Sequence, residues 1–328
     1  SEEESLTGES TTTNGKEAQE VDMDSLADSF VSSFQVDSSS LGEHPRFTNY
    51  KNYDKVKQAQ IQRREEFLQK QKDSRWDKLE KIRRIADSEE EEDAEMEEQK
   101  TSKGRGSRYG GVLMTSEWLV DIPNDVSSWI SIVVPTGKRV LVIASRGETR
   151  VYSKAGNVLR SFKSRLPGGG GKGSRCILDC IAYHDHSRFF ILDMLQWNEI
   201  NFHESPFSLR HFFLNSRLQE HPEISVPSAK MKSSFHGLPF TTASPSNLES
   251  LMSSSYDFDV DGILFYHPEV LYLAGQSALV GWLKPWMLPE VLNVRVNTYY
   301  TIGAPSSALS FIEEFNKTHH HSSQIKSS

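Results

Sequence analysis

Between His44 and Ala86 thirteen basic residues face six acidic ones, and Asp87 to Glu98 then holds nine acids and no base. The apolar residues of the basic stretch, Val56, Ile61, Phe67, Leu68, Trp76, Leu79, Ile82 and Ile85, are too sparse to offset the entropy of ordering the chain. Such a segment folds only against something else. Asp54 is a suitable N-cap, so the pattern predicts a helix from Asp54 to Ala86 with a narrow apolar stripe, entered through the extended arm HPRFTNYK. Without a sustained apolar heptad, a coiled coil is not expected.

The rest of the chain divides by texture. Hydrophobic residues make up 36% of the 328 positions and the mean hydropathy is −0.53, low for a wholly globular chain. Polar residues crowd the first 110 positions and the last 25, leaving roughly 190 residues for one domain with a real core. Five of the six tryptophans fall in that region. The net charge of −8 is concentrated in the tail and the Glu run, so it says little about the domain. Cys176 and Cys180 offer neither a disulfide framework nor a zinc spacing, which suits a reducing compartment. No signal-like start and no run of 18 apolar residues appears, so a soluble protein of cytosol or nucleus is expected, with no membrane partner.

Residues 1 to 22 read as disordered. Met23, Leu26, Phe30 and Phe34 then share a helical face, with Val36 needing an extended end. Two readings stand: a short helix docking on the domain, or a peptide for a partner's apolar groove. From Leu113 short apolar runs alternate with turn residues: WISIVV, RVLVIAS, TRVYS, CILDCIAY, RFFILDML, LRHFFL, VDGILFYH and LVGWL. Most have strand length, with KAGN and GGGGKG as turns, predicting an α+β domain rich in antiparallel sheet. A short helix from Ser307 to Asn316 is expected in the tail, and the adjacent His319 to His321 do not form a metal site.

Little here suggests catalysis. The Gly168 to Gly173 loop lacks the glycine that a phosphate loop needs five positions before Gly171-Lys172. His184 and His186 lie in a turn without a paired nucleophile. The order of PTGKR, a hairpin, ILDCI, DVDG and LVGWLK nevertheless resembles the covalent nucleotidyltransferases, the mRNA guanylyltransferases and polynucleotide ligases. Where that family has its nucleophilic Lys this chain has Val134, and its Asp becomes Thr136, while Gly137 and Arg139 remain. Asp179 stays but the metal-binding acid becomes Ile181. Asp259, Asp261 and Gly262 keep the (E/D)xDG pattern, and Gly281 and Trp282 precede the retained Lys284. Val134 has no titratable atom, so a lysyl-nucleotide intermediate cannot form there.

Taken from Met23 to Met287, the chain resembles the snurportin family, adaptors that carry spliceosomal small nuclear ribonucleoproteins into the nucleus by their trimethylguanosine cap. The resemblance runs through MDSLADSFVSSFQV, HPRFTNYK, the basic helix, LMTSEWLVDIP, PTGKR, VIASRG, LPGG, ILDCI, VDGILFYH and LVGWLKP. It implies a non-enzymatic protein with a guanylyltransferase-like domain, no cofactor, no metal and no DNA partner. Trp282 would be the stacking platform for the cationic methylated guanine, Trp118 an apolar wall for the two N2 methyls, and Ser116 a hydrogen-bonding group. Lys138, Arg139 and Lys154 would meet the triphosphate. With Val134 these seven residues are the candidate cap contacts. Read without the resemblance, each tryptophan is as well explained by core packing, where Trp129, Trp197 and Trp286 are expected.

The basic segment resembles an importin-β-binding domain, which implies contacts from Arg46, Tyr50, Lys51, Arg63, Arg64, Lys70, Lys72, Arg75, Lys81, Arg83 and Arg84, with Trp76 and Leu79 as anchors. Glu65 and Glu66 interrupt the usual basic run, and the Glu block could shield the helix. Met23, Leu26, Phe30, Phe34 and Val36 match the spacing read by an exportin. The expected organisation is a tail to 43 holding that peptide over 23–36, an importin-β-binding segment over 44–86, a linker over 87–110, a cap-binding domain over 111–300 and a polar tail over 301–328. An active guanylyltransferase or ligase, or a generic cap-binding protein, is the alternative.

Overall fold

RCILDCIA and RFFILDMLQW carry almost no alternation of polar and apolar residues, and the reason is that both faces of each strand are covered. A computed structural model describes residues 53–73, 109–171, 173–184, 187–202 and 204–324, with side chains described over 59–71 of the first helix and up to 317 in the last. The exportin-type peptide, the arm with Arg46, Tyr50 and Lys51, and the stretch holding Arg75, Trp76, Leu79, Lys81, Arg83 and Arg84 lie outside these residues. So do the acid block, His186 and the Lys72 side chain.

Among the described residues the strands form two sheets. The first has the order β1 (Met114–Trp118), β12 (Gly275–Leu283), β11 (Val260–Tyr266), β2 (Ile130–Pro135), β10 (Phe240–Thr242). The second runs β5 (Val158–Phe162), β4 (Glu148–Ser153), β3 (Lys138–Ser145), β6 (Arg175–Ala182), β7 (Arg188–Trp197), β8 (Ile200–Asn201), and β9 (Ser234–His236) pairs with β7. Pairing is antiparallel except for β1 with β12 and β7 with β9. The domain is thus mixed α+β and sheet-rich.

Strand periodicity sorts the core into layers. Leu141 and Ile143 of β3 meet Ile132 and Val134 of β2 and Leu264 and Tyr266 of β11 between the sheets. Val140, Val142 and Ala144 point the other way, under helix α2 (Phe207–Glu220). The outer face of the first sheet is closed by α3 (Pro245–Ser253), α4 (Leu288–Val291) and α5 (Ala308–Gln324) through Leu248, Leu288 and Leu309. Each fully buried aliphatic side chain contributes about 1.5–3 kcal/mol. Trp129 and Trp197 are core residues, and Trp286 packs on the outer cluster.

Two segments depart from the reading above. LRHFFL belongs to a helix, not a strand, because Phe207, Arg210, His211 and Leu214 recur at helical spacing and Arg210 has a buried partner, Asp193, that the chain order does not reveal. The last helix is longer than expected, reaching Gln324. Helix α1 (Tyr53–Asp73) is the described part of the basic segment and is packed on the domain.

His211 sits edge-on to Phe240 at 4.2 Å, and burial, with Arg210 acting in the same direction, pushes its pKa from the ordinary 6.5 down to about 3. On acidification the unfolded chain takes up a proton that the folded one refuses, so stability falls as pH drops from 6.5 towards 3. Urea unfolding should show this loss reduced in His211→Phe, by about 2 kcal/mol between pH 7 and 5. Equal slopes for both proteins would disprove the assignment.

Candidate functional site

The turn from β2 to β3 brings the candidate residues to one end of the two sheets. Val134 is buried near the end of β2, directly opposite Gly262 of β11. Thr136 donates its backbone N–H to the Asp259 carbonyl at 2.8 Å, which locks the (E/D)xDG segment to the turn. At Gly137 a Cβ would meet the Ala182 carbonyl at 2.5 Å, so the backbone crosses between sheets only because no side chain is there. Lys138 follows, exposed, and Val140 pairs with Ser153, so Lys154 stands at the same open end of the β3–β4 hairpin.

Trp282 of β12 lies half-buried against the inter-sheet core, with the Cζ2 and Cη2 atoms of its indole close against Gly262. A Cβ at position 262 would come within 2.3 Å of Trp282 Cζ2. The glycine of the (E/D)xDG pattern therefore serves here as the floor beneath an aromatic ring. Lys284 Nζ stands 5.6 Å from the ring centroid and donates to Asp261. The ammonium is held by both neighbours, a cation over an indole face and a carboxylate beside it.

Trp118 is the cross-strand register partner of Trp282, after a register shift following Ser116. Its ring nevertheless packs with the outer cluster, edge-on to Phe311 at 6.1 Å and Phe315 at 5.4 Å of α5. The two tryptophans thus share a backbone ladder but lean on different sides of the core. Ser116 lies on the same edge strand, where its carbonyl accepts from Gln276. The part played by the C-terminal helix was not visible beforehand, although Ala308, Phe311, Ile312 and Phe315 have the spacing of a docking face.

Arg139 does something other than wait for a phosphate. Its Nε and Nη2 each donate to the buried Asp179 carboxylate at 2.7 Å, and Nη2 also donates to the Met114 carbonyl at 2.8 Å. Burial opposes its charge, but Asp179 together with the Tyr266 and Tyr272 hydroxyls outweighs this and raises its pKa above the ordinary value. Tyr272 donates to the same carboxylate at 2.6 Å and accepts from the Met114 N–H. Arg139 therefore fixes the start of β1, the strand that carries Ser116 and Trp118. Tyr272 is a positioning residue that sequence reasoning missed.

The candidate importin contacts that are described differ from one another. Lys70 is exposed, 3.9 Å from Glu66. Arg63 pairs with Glu117 at 2.5 Å, and Arg64 is buried with Asp121 at 2.7 Å. An open cleft of about 500 Å³ lies beyond Lys284, lined by Asp261, Trp286, Tyr299, Tyr300 and Ile302, and none of the seven candidate cap residues lines it. Among the described residues no cluster of His, Cys, Asp and Glu could hold a metal ion, and no helix is long and apolar enough to cross a membrane. Cys176 and Cys180 are free and buried, and burial raises both thiol pKa values.

The candidate site is thus a half-buried indole over a glycine, with the apolar Val134 opposite that glycine on the next strand. Residues 112–285 match the family described as "Snurportin1, m3G cap-binding domain", and residues 44–84 match "Snurportin1". The chain belongs to the Snurportin1 family, and its larger match is to that family's cap-binding domain.

Among solved structures it is similar to the ligase domain of LigD from M. tuberculosis, at 13% identity over 52% of this chain and 57% of that one, TM-score 0.33. It is also similar to a Lig E DNA ligase, at 15% identity over 52% of this chain and 67% of that one, TM-score 0.34. For Chlorella virus DNA ligase-adenylate the values are 12%, 53%, 67% and 0.33. The first of these matches spans little more than half of the relative's length, and likeness of this degree assigns neither substrate nor chemistry.

Replacing Gly262 by Ala should push the Trp282 ring off its floor. A loss of about 1–3 kcal/mol in denaturant unfolding is expected, with a shift in tryptophan emission. An unchanged emission spectrum and stability would show that the ring does not rest there.

Proposed function

We propose that this chain binds the trimethylguanosine cap of small nuclear RNA on Trp282 and links the ribonucleoprotein to importin-β through its basic helix. In this reading the domain over 111–300 has the guanylyltransferase-like fold with the nucleophile replaced by Val134, so that a nucleotide is held and released without bond formation. The segments over 44–86 and 23–36 serve importin-β and an exportin, the latter returning the empty carrier, and the protein shuttles between nucleus and cytoplasm. Residues 87–110 link the helix to the domain, and 1–43 and 301–328 are its tails.

The observation that carries this is the half-buried face of Trp282 over Gly262 and beside Val134. Methylation at N7 makes guanine cationic, and an indole face attracts such a base by about 0.5–2 kcal/mol, within a stacking total of about 1–3. Two methyls on N2 remove both donors of that amine and add apolar surface, which favours a neighbouring apolar wall. Trp118, steadied by Phe311 and Phe315, is the candidate for that wall, with Ser116 on the same strand. Lys138 and Lys154, exposed at the same open end, are the candidates for the phosphates. Arg139, engaged by Asp179, supports the site from behind.

Intrinsic tryptophan fluorescence, titrated with trimethylated and monomethylated cap analogues, tests this. The trimethylated cap should bind more tightly, and Trp282→Ala should lose about tenfold or more in affinity. Lys138→Ala and Lys154→Ala should weaken both caps alike and flatten the salt dependence. Equal binding of the two caps would refute the reading.

A further inference from the structure

Helix α1 has an unusual set of buried groups for a basic, solvated helix: Gln60 is 3% and Arg64 7% exposed. Together with Phe67, Leu68 and Gln71 they fall at i, i+4, i+7, i+8 and i+11, a single helical face. That face lies on the end of the edge strand β1 and on the loop that follows β11. Gln60 donates to the Trp118 carbonyl at 2.9 Å and accepts from the Asp121 N–H at 2.6 Å. Arg64 donates to the Asp121 carboxylate and to the Asp121 carbonyl, each at 2.7 Å, and stands 5.6 Å over the Trp129 ring. Arg63 reaches Glu117, Phe67 and Leu68 pack on the inter-sheet core, and Gln71 accepts from the Leu271 N–H at 2.9 Å.

We infer that the cap-binding domain holds this helix in cis, through the Glu117–Asp121 acidic seat and the Gln60 and Gln71 clasps, and that importin-β can engage it only after it is lifted off. The inference rests on the function proposed above. Arg64 cannot satisfy Asp121 and a partner's carboxylate at once, and its seat is complete: Asp121, Glu117 and Asp125 all act on a guanidinium whose pKa burial lowers. Breaking a buried pair leaves the other charge stranded, so release is opposed by more than the loss of a surface contact. The seat also touches the cap site, because Gln60 holds the carbonyl of Trp118. Occupancy of the helix by a partner and the state of the cap wall are therefore linked, and any such linkage acts equally in both directions.

The test compares importin-β affinity of the full chain with that of Asp121→Asn and Glu117→Gln, both substitutions in the domain and outside the basic segment, with a retained cooperative unfolding transition of the domain as the check on folding. Opening the seat should tighten importin-β binding about fivefold or more. Equal affinity for all three proteins would overturn the latch while leaving the adaptor reading in place. Failure of every form to bind importin-β would sink the adaptor reading and the latch with it. If Asp121→Asn does not fold, hydrogen exchange on the unmodified chain decides. A docked helix should protect the amides of 60–71 well beyond the level of an isolated helix this poor in apolar surface, and exchange at the unprotected rate would overturn the proposal.

Discussion

Asp179 and Asp193 stand directly opposite each other on β6 and β7, both buried, and two carboxylates so placed repel strongly in a poorly screened interior. The fold accommodates them with two bidentate arginines, Arg139 on Asp179 and Arg210 on Asp193. Each arginine then spends its remaining donors on backbone carbonyls from elsewhere in the chain. Arg139 takes Met114, at the start of β1, and Arg210 takes Ser205 and Val270. Because an unpaired charge in this position is so costly, these strands and loops have no freedom to drift.

The candidate site depends on that network. β1 is an edge strand, held on one side by β12 and at its start by Arg139 and Tyr272, and it delivers Ser116 and Trp118. The loop after β11 is held by Arg210 and by Gln71 of the basic helix. Arg139 thus has a structural task here, tying Asp179 to the start of β1, and Gly262 has one in making room for the Trp282 ring. Rigid placement is what a site for a flat, charged base requires, since misaligned stacking forfeits most of its energy.

The basic helix changes in character once it is seen against the domain. As a sequence it is a charged surface with a thin apolar stripe, and Arg63 and Arg64 look interchangeable with the other cations. Against β1 the two become unequal, one at the rim of an acidic seat and one inside it. Gln60 and Gln71, which no charge count singles out, make the contacts that define the dock.

The sequence alone determined what depends on local chemistry. Strand runs between turns indicated the sheet-rich class, and PTGKR, ILDCI, DVDG and LVGWLK carried a resemblance to the nucleotidyltransferases in which Val134 stands at the place of the reactive lysine. Charge patterning marked the basic helix as a segment that must be bound. Tertiary structure decided whatever needs two distant segments to meet. LRHFFL became a helix because Arg210 finds Asp193 across the fold, and helical and strand periods are hard to separate in six residues. Arg139 turned inward because Asp179 lies beside it on the next strand, and Trp118 leaned on Phe311 and Phe315 from almost two hundred residues away. A residue's type sets which interactions it can make, but only the folded chain decides which partner is near enough to make them, because burial raises the cost of every polar group left without one.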